Sequence, residues 1–226
     1  KPDYLCYDYY DFIGSGATQS RRGEYLRNME IIKTAAKKYD LETRVIVLLT
    51  EHGPYSNVTP TEIAWQANFT YWEPQDPNFT WSNAMVDIDG NLMQHYYDVQ
   101  NENKTTRVLG NALYGTKSDK VFKINTELVS HVDSYESYGD LGKVSGEDIL
   151  AGFYENGWFL LMNANSMKDN TRILTTEDLD GGLCWLNLET KRWESIHSCS
   201  FIEQKSNGCY QITLEAGNAV LLRVEK

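Results

Sequence analysis

The sequence has no stretch approaching the roughly 20 consecutive apolar residues that a membrane-crossing helix requires, and no charged-then-apolar leader precedes Asp3. A membrane partner is therefore not expected. Positive charge is also scarce: 21 Lys and Arg against 32 Asp and Glu leave a formal net charge of −11. Such a field repels phosphate backbones, which argues against nucleic acid as a partner. Cysteine is sparse and badly spaced for metal or redox chemistry. Cys6, Cys184, Cys199 and Cys209 form no C-x-x-C pair, so they read as buried thiols, with a bridge among the last three left open for an oxidising compartment. The Gly14-Ser15-Gly16 loop lacks the third glycine and the lysine of a phosphate cradle. Asp87-Ile88-Asp89-Gly90-Asn91 lacks the closing glutamate of a calcium loop and reads as a β-turn. No metal and no cofactor are called for.

What is present is aromatic. Fifteen Tyr and six Trp supply large buried area and, near strand ends, flat faces that suit a sugar ring. With 41% hydrophobic residues the chain has material for real cores. It opens almost at once in an apolar strand, Tyr4 to Phe12, as a chain beginning inside a larger protein would. Gly23 to Tyr39 then places Tyr25, Met29, Ile32, Ala36 and Tyr39 at helical spacing. After Asp40, Arg44 to Leu49 carries, behind its arginine, an unbroken apolar run of the kind expected for a strand covered on both faces. Strand, helix and buried strand imply a parallel βαβ unit.

Beyond the Gly53-Pro54 turn, Thr59-Pro60-Thr61-Glu62 carries an N-cap, a proline for the first helical position and a capping-box glutamate. The helix that follows holds Ile63, Trp65, Gln66 and Ala67, and Phe69 to Pro74 reads as an aromatic strand. That interval is too short for a helix plus a returning parallel strand. Met85 to Ile88 alternates as a strand, and Leu92 to Leu113 reads as a helix with Tyr96, Val99, Val108 and Leu109 inward and Gly115 ending it. From Lys117 the period becomes strand-like. Strands are expected at Val121–Ile124, Ile149–Phe153, Trp158–Met162, Arg172–Thr175, Leu183–Leu188, Trp193–Ile196, Tyr210–Leu214 and Ala219–Val224, with a two-residue hairpin turn at Asn156-Gly157. The expected architecture is an α/β part over 1–117 and a β-sandwich over 118–226.

Several segments carry a resemblance: Tyr7-Asp8-Tyr9-Tyr10-Asp11-Phe12 at a strand end, Tyr25 to Glu30 on the next helix, and Pro60-Thr61-Glu62 with Trp65-Gln66-Ala67-Asn68. Phe69-Thr70-Tyr71-Trp72-Glu73-Pro74, Asp87 to Asn91 with Tyr96-Tyr97, and the closing Tyr210–Leu214 and Ala219–Leu222 complete the set. Together they resemble the second half of the (β/α)8 barrels of glycoside hydrolases, particularly bacterial proteins related to the family 42 β-galactosidases, with the sandwich that often follows. The resemblance implies a partial barrel starting near its fifth strand, an oligo- or polysaccharide substrate, and an extracellular or cell-envelope setting. It also implies that the usual proton donor lies on a strand outside this sequence. Relatives have a longer stretch where Asn68 here runs directly into Phe69, as if residues were missing at that point.

Cleavage of a glycosidic bond uses two carboxyl groups, which a barrel holds at the carboxyl ends of its strands. By that position Glu73 is the candidate nucleophile, and Asp8 and His52 are further catalytic candidates. Asp8 draws interest because a carboxylate within an aromatic strand needs partners or a raised pKa. Tyr10, Glu51, Trp72 and Trp81 are candidate substrate contacts. The plain alternatives are a solvated loop glutamate at Glu73, a loop-tying aspartate at Asp8, a structural histidine at His52 and core packing for the rings. The Asn-x-Thr triplets at Asn57, Asn68, Asn78 and Asn103 are read as chance. Half a barrel exposes strand edges, so self-association is expected. The alternative function is a non-catalytic saccharide-binding or structural module.

Overall fold

In the computed structural model, residues 2–13, 22–49, 54–55, 58–70, 89–129, 132–167, 171–175, 179 and 181–225 are described. They divide into two units: Lys1–Tyr114 together with Leu128–His131, and Gly115–Glu127 together with Val132–Lys226. The chain is mixed α/β, and the three α-helices among the described residues all belong to the first unit.

The first unit is built on strand β1 (Tyr4–Asp8), helix α1 (Arg22–Tyr39) and strand β2 (Glu42–Ile46). The two strands pair in parallel, from Tyr4 opposite Glu42 to Asp8 opposite Ile46, as the strand-helix-strand order requires. Along α1 the apolar stripe buries Tyr25, Leu26, Met29 and Ala36. Tyr39 departs from expectation: it is 57% exposed, with the Lys38 ammonium 5.3 Å from its ring centre. The helix ends there because Asp40 turns left-handed (φ 51°). Leu41 N–H then reaches back to the Ala36 carbonyl at 3.0 Å and Asp40 N–H to that of Lys37 at 3.4 Å, the paired bonds of a Schellman stop.

Strand β2 differs from the expected Arg44–Leu49. It begins at Glu42 and ends at Ile46, whose side chain is 40% exposed, so it is not covered on both faces. Val47, Leu48 and Leu49 are buried beyond its end. The reason is the partner: β1 ends at Asp8, opposite Ile46. In place of a ladder, the Leu48 N–H donates to Gln66 Oε1 at 2.8 Å and Gln66 Nε2 donates to the Leu48 carbonyl at 3.1 Å.

Gln66 sits on α2 (Pro60–Thr70), whose start is the expected capping box: Thr59 N–H donates to Glu62 Oε2 at 2.8 Å, and Glu62 N–H to Thr59 Oγ1 at 3.3 Å. Residues 63–68 are buried in succession, the signature of a helix enclosed on every side. The helix continues through Phe69 and Thr70, where a strand was expected. A well-capped helix with no breaker before Pro74 overrides the local β preference of two residues, and the interval was already too short for a crossover. Asn68 is buried within it. Helix α3 (Gln94–Leu113) starts two residues later than expected and buries Val99, Val108, Leu109 and Leu113. Its partner is α2, and His95 Nε2 hydrogen-bonds the Val58 carbonyl at 2.9 Å.

The second unit comprises β3 (Ser118–Ile124), β4 (Asp133–Ser134), β5 (Val144–Ser145), β6 (Ile149–Tyr154), β7 (Phe159–Asn163), β8 (Thr171–Thr175), β9 (Gly182–Asn187), β10 (Arg192–Ser195), β11 (Ile202–Ser206), β12 (Cys209–Leu214) and β13 (Ala219–Glu225). Seven strands form one sheet in the order β10-β9-β13-β7-β6-β3-β4, and four form another in the order β11-β12-β8-β5. Only β3–β4 pair in parallel among the described strands of this unit. The two sheets share a core: Ala151, Phe153, Leu161, Val220 and Leu222 from the first meet Ile202, Tyr210, Ile212 and Leu214 from the second. On the opposite face of the larger sheet Leu150, Leu160, Met162 and Leu221 are buried as well. The unbroken apolar runs of β6 and β7 suit strands enclosed on both faces.

The β6–β7 hairpin turns at Asn156-Gly157, yet not through two residues. Tyr154 N–H bonds the Trp158 carbonyl and Gly157 N–H bonds the Tyr154 carbonyl, both at 3.0 Å, enclosing Glu155-Asn156-Gly157. With Gly157 at φ 82° this is the three-residue loop that pairs a turn with a left-handed glycine. Among the thiols, Cys184 and Cys199 are buried as expected, but Cys6 is exposed and Cys209 intermediate; all four are free.

Candidate functional site

Strand β1 points its carboxyl end at a group of aromatic and acidic side chains. Asp8 is its last residue and is exposed. Two residues on, the Tyr10 hydroxyl is pushed up to about 12, chiefly by burial and further by the charge of Asp8, to whose carboxylate it donates. The Tyr10 ring meets Tyr55 edge-on, with centroids 5.1 Å apart and planes at 84°. Tyr55 is held in turn by an antiparallel bridge to Ile13. Thus the segment following β1 doubles back on the residue after Pro54.

Beneath this rim lies an aromatic floor. Tyr7 stacks with Tyr9 at 6.3 Å, Tyr25 meets Trp65 at 5.4 Å, and Trp65 meets Phe12 edge-on at 5.7 Å. The Tyr9 hydroxyl donates to Glu24 Oε2 at 2.9 Å, tying the strand end to the first turn of α1. Burial lifts the Tyr7 and Tyr25 hydroxyls far above the ordinary phenol range, with Asn28 easing the shift at Tyr7. Asp11, only 4% exposed, adds its charge to both shifts. These phenols stay neutral at any physiological pH and can act as hydrogen-bond donors but not as bases.

Asp8, expected to need a hydrogen-bond partner or a raised pKa, has the Tyr10 hydroxyl as a donor. Asp8 faces solvent and has no burial to compensate, whereas Asp11, three residues on, is the carboxylate enclosed among aromatic rings. Strand alternation is the reason: Tyr7 turns inward, so Asp8 must turn outward. Asp8 and Tyr10, two of the candidate site residues, are brought together. Glu73, His52, Glu51, Trp72 and Trp81 lie outside the described residues. Tyr55, Glu24 and Gln66 were missed as contributors. The available signals were an aromatic directly after a proline turn, an acid in the first turn of a helix beside a tyrosine strand, and an amide inside an apolar helix.

In the second unit, Trp158 and Trp193 approach to 4.8 Å, and the Arg223 guanidinium lies 4.7 Å from the Trp193 ring centre. Among the described residues no group of three or more His, Cys, Asp or Glu is placed to hold a metal ion. No protein-family model matches the chain, and no curated protein matches its sequence.

Proposed function

We propose that this chain is part of a carbohydrate-active protein, in which the βαβ unit is a segment of a glycosidase-like (β/α) barrel and the two-sheet unit is an accessory β-sandwich. The observation that carries the reading is the Asp8–Tyr10 pair at the carboxyl end of a parallel strand, backed by Tyr55. A hydrogen-bonding carboxylate, a phenol and an aromatic edge are what a polyol recognises, and the strand end is where a parallel barrel does its chemistry. In this reading Glu73 is the nucleophile of a carboxylate pair, His52 assists it, and Glu51, Trp72 and Trp81 contact sugar.

Calorimetric titration of the chain with neutral and acidic oligosaccharides tests the site. Tyr10→Phe and Asp8→Asn should each weaken binding about five- to tenfold, the worth of one polar contact. Saccharide binding that neither substitution alters, or no binding by the native chain, overturns the assignment. Turnover of aryl glycosides by this chain alone should be slight, since the resemblance puts the proton donor elsewhere. Robust turnover that Glu73→Gln abolishes, with the fold retained, would place both carboxylates in this chain. The edge-on Tyr10–Tyr55 pair equally supports a second reading, saccharide binding without cleavage. That reading is chosen if Asp8 and Tyr10 matter for affinity while Glu73→Gln changes nothing in the whole protein.

A further inference from the structure

Helix α3 (Gln94–Leu113) presents a stripe of Val99, Glu102, Thr106, Leu109 and Leu113, spaced three and four residues apart as a helix packed along one face requires. Val99, Leu109 and Leu113 are each 1% exposed. The middle of this apolar stripe is polar: Glu102 Oε1 and Thr106 Oγ1, one turn apart, are both sealed from solvent with no hydrogen-bond partner among the described residues, while each residue as a whole is only half-buried. Glu102 lies seven residues after His95, within about 20° of the same azimuth. His95 grips the Val58 carbonyl at the root of α2, so Glu102 belongs to the face that α3 turns toward its bed.

We propose that Glu102, with Thr106 beside it, is a protonation-controlled latch: as the neutral acid it lets α3 lie closed, and on ionising it loosens the helix. An ionised carboxylate with a sealed, unpaired oxygen is costly, and the neutral acid avoids that cost. Consistent with this, burial pushes the Glu102 carboxyl up to about 7. Among the described residues, the charges around it do not offer another account. Asp98, one turn earlier, receives the Gln94 amide at 2.9 Å, Lys104 and Arg107 are exposed, and Glu62, the one charged residue of α2, is engaged in its cap. None of them contributes to the shift, whose cause is burial. The sign follows. The folded state holds the proton more tightly than the unfolded chain, so closure is firmest below the ordinary value of 4.5. It weakens as pH rises toward about 7, and is level above that.

Hydrogen exchange of the α3 amides in the full chain, corrected for intrinsic rates, tests this. Between about pH 5 and about pH 8 the opening of α3 should grow roughly tenfold or more. In Glu102→Gln it should stay level, while Asp98→Asn should keep the native response. An unchanged pH response in Glu102→Gln, or a level response in the native chain, overturns the proposal. A carboxyl-carbon NMR titration of the native protein decides it without any variant, and a Glu102 midpoint below about 5 sinks the latch.

Discussion

The two units bury different chemistry. The first encloses Asp11, Gln66 and Asn68 and the hydroxyls of Tyr7 and Tyr25 among aromatic rings. The second encloses Ile149, Ala151, Leu161, Ile212 and Leu222, tied by ladders of backbone bonds. It too buries polar groups, Thr126, Asn163, Asn165 and Ser166, and Asn163 is well supplied, donating to the carbonyls of Leu214 and Glu215 and accepting from Asn165 N–H. A polar interior is costly to fold and easily upset, and it is the interior that could hold or move a polar ligand. The two-sheet core, aliphatic with Phe153, Phe159 and Tyr210 among its members, resembles a scaffold. The contrast says where to look for chemistry: at the rim of β1, above the polar floor.

Substitutions can break this comparison. The largest effect is expected from Trp65→Ala, which empties the fully buried ring position shared by Phe12 and Tyr25. It should cost about 3–5 kcal/mol, read as a lower urea midpoint of the helical signal at 222 nm. Ile212→Ala makes the matching cavity in the second unit and should cost about 2–5 kcal/mol, read by hydrogen exchange in β12 and β8. Gln66→Ala strands a buried N–H and carbonyl at Leu48 and should cost about 2–3 kcal/mol in chemical denaturation. If it costs less than Trp65→Ala by a wide margin while Asp8→Asn leaves saccharide binding intact, the polar floor is packing and nothing more. Thr59→Ala removes the α2 cap and should cost about 1 kcal/mol. The smallest change is Gly157→Ala. Its added methyl meets nothing, so the φ of 82° alone is penalised, by about 1 kcal/mol, visible as a drop of a few degrees in Tm.

Much of the framework was legible from local pattern. The α1 periodicity, the Thr59–Glu62 cap and strands β3, β6 to β10, β12 and β13 follow from residues within a few positions of one another, because helix faces, caps and turns are short-range geometry; β4 and β5, two residues each, were not expected. β11 escaped notice since Ile202–Ser206 is almost wholly polar and is a strand through pairing with β12. The site was half legible. Asp8 and Tyr10 were each singled out near a strand end, but Tyr55 enters through the bridge to Ile13, forty-two positions away in sequence, and no local pattern announces it.

From the order of its residues alone, the chain's composition, charge, helix starts and most strand positions could be stated, because each depends on neighbours along the backbone. Tertiary structure decided that β2 stops at Ile46 and that Asp11 is enclosed near the ring of Tyr25. Each of those outcomes turns on which distant group arrives: the end of β1 and the amide of Gln66 for β2, and α1 with Tyr25 for Asp11. Burial and long-range pairing are set by the fold as a whole, and they outweigh the local preference of any single residue.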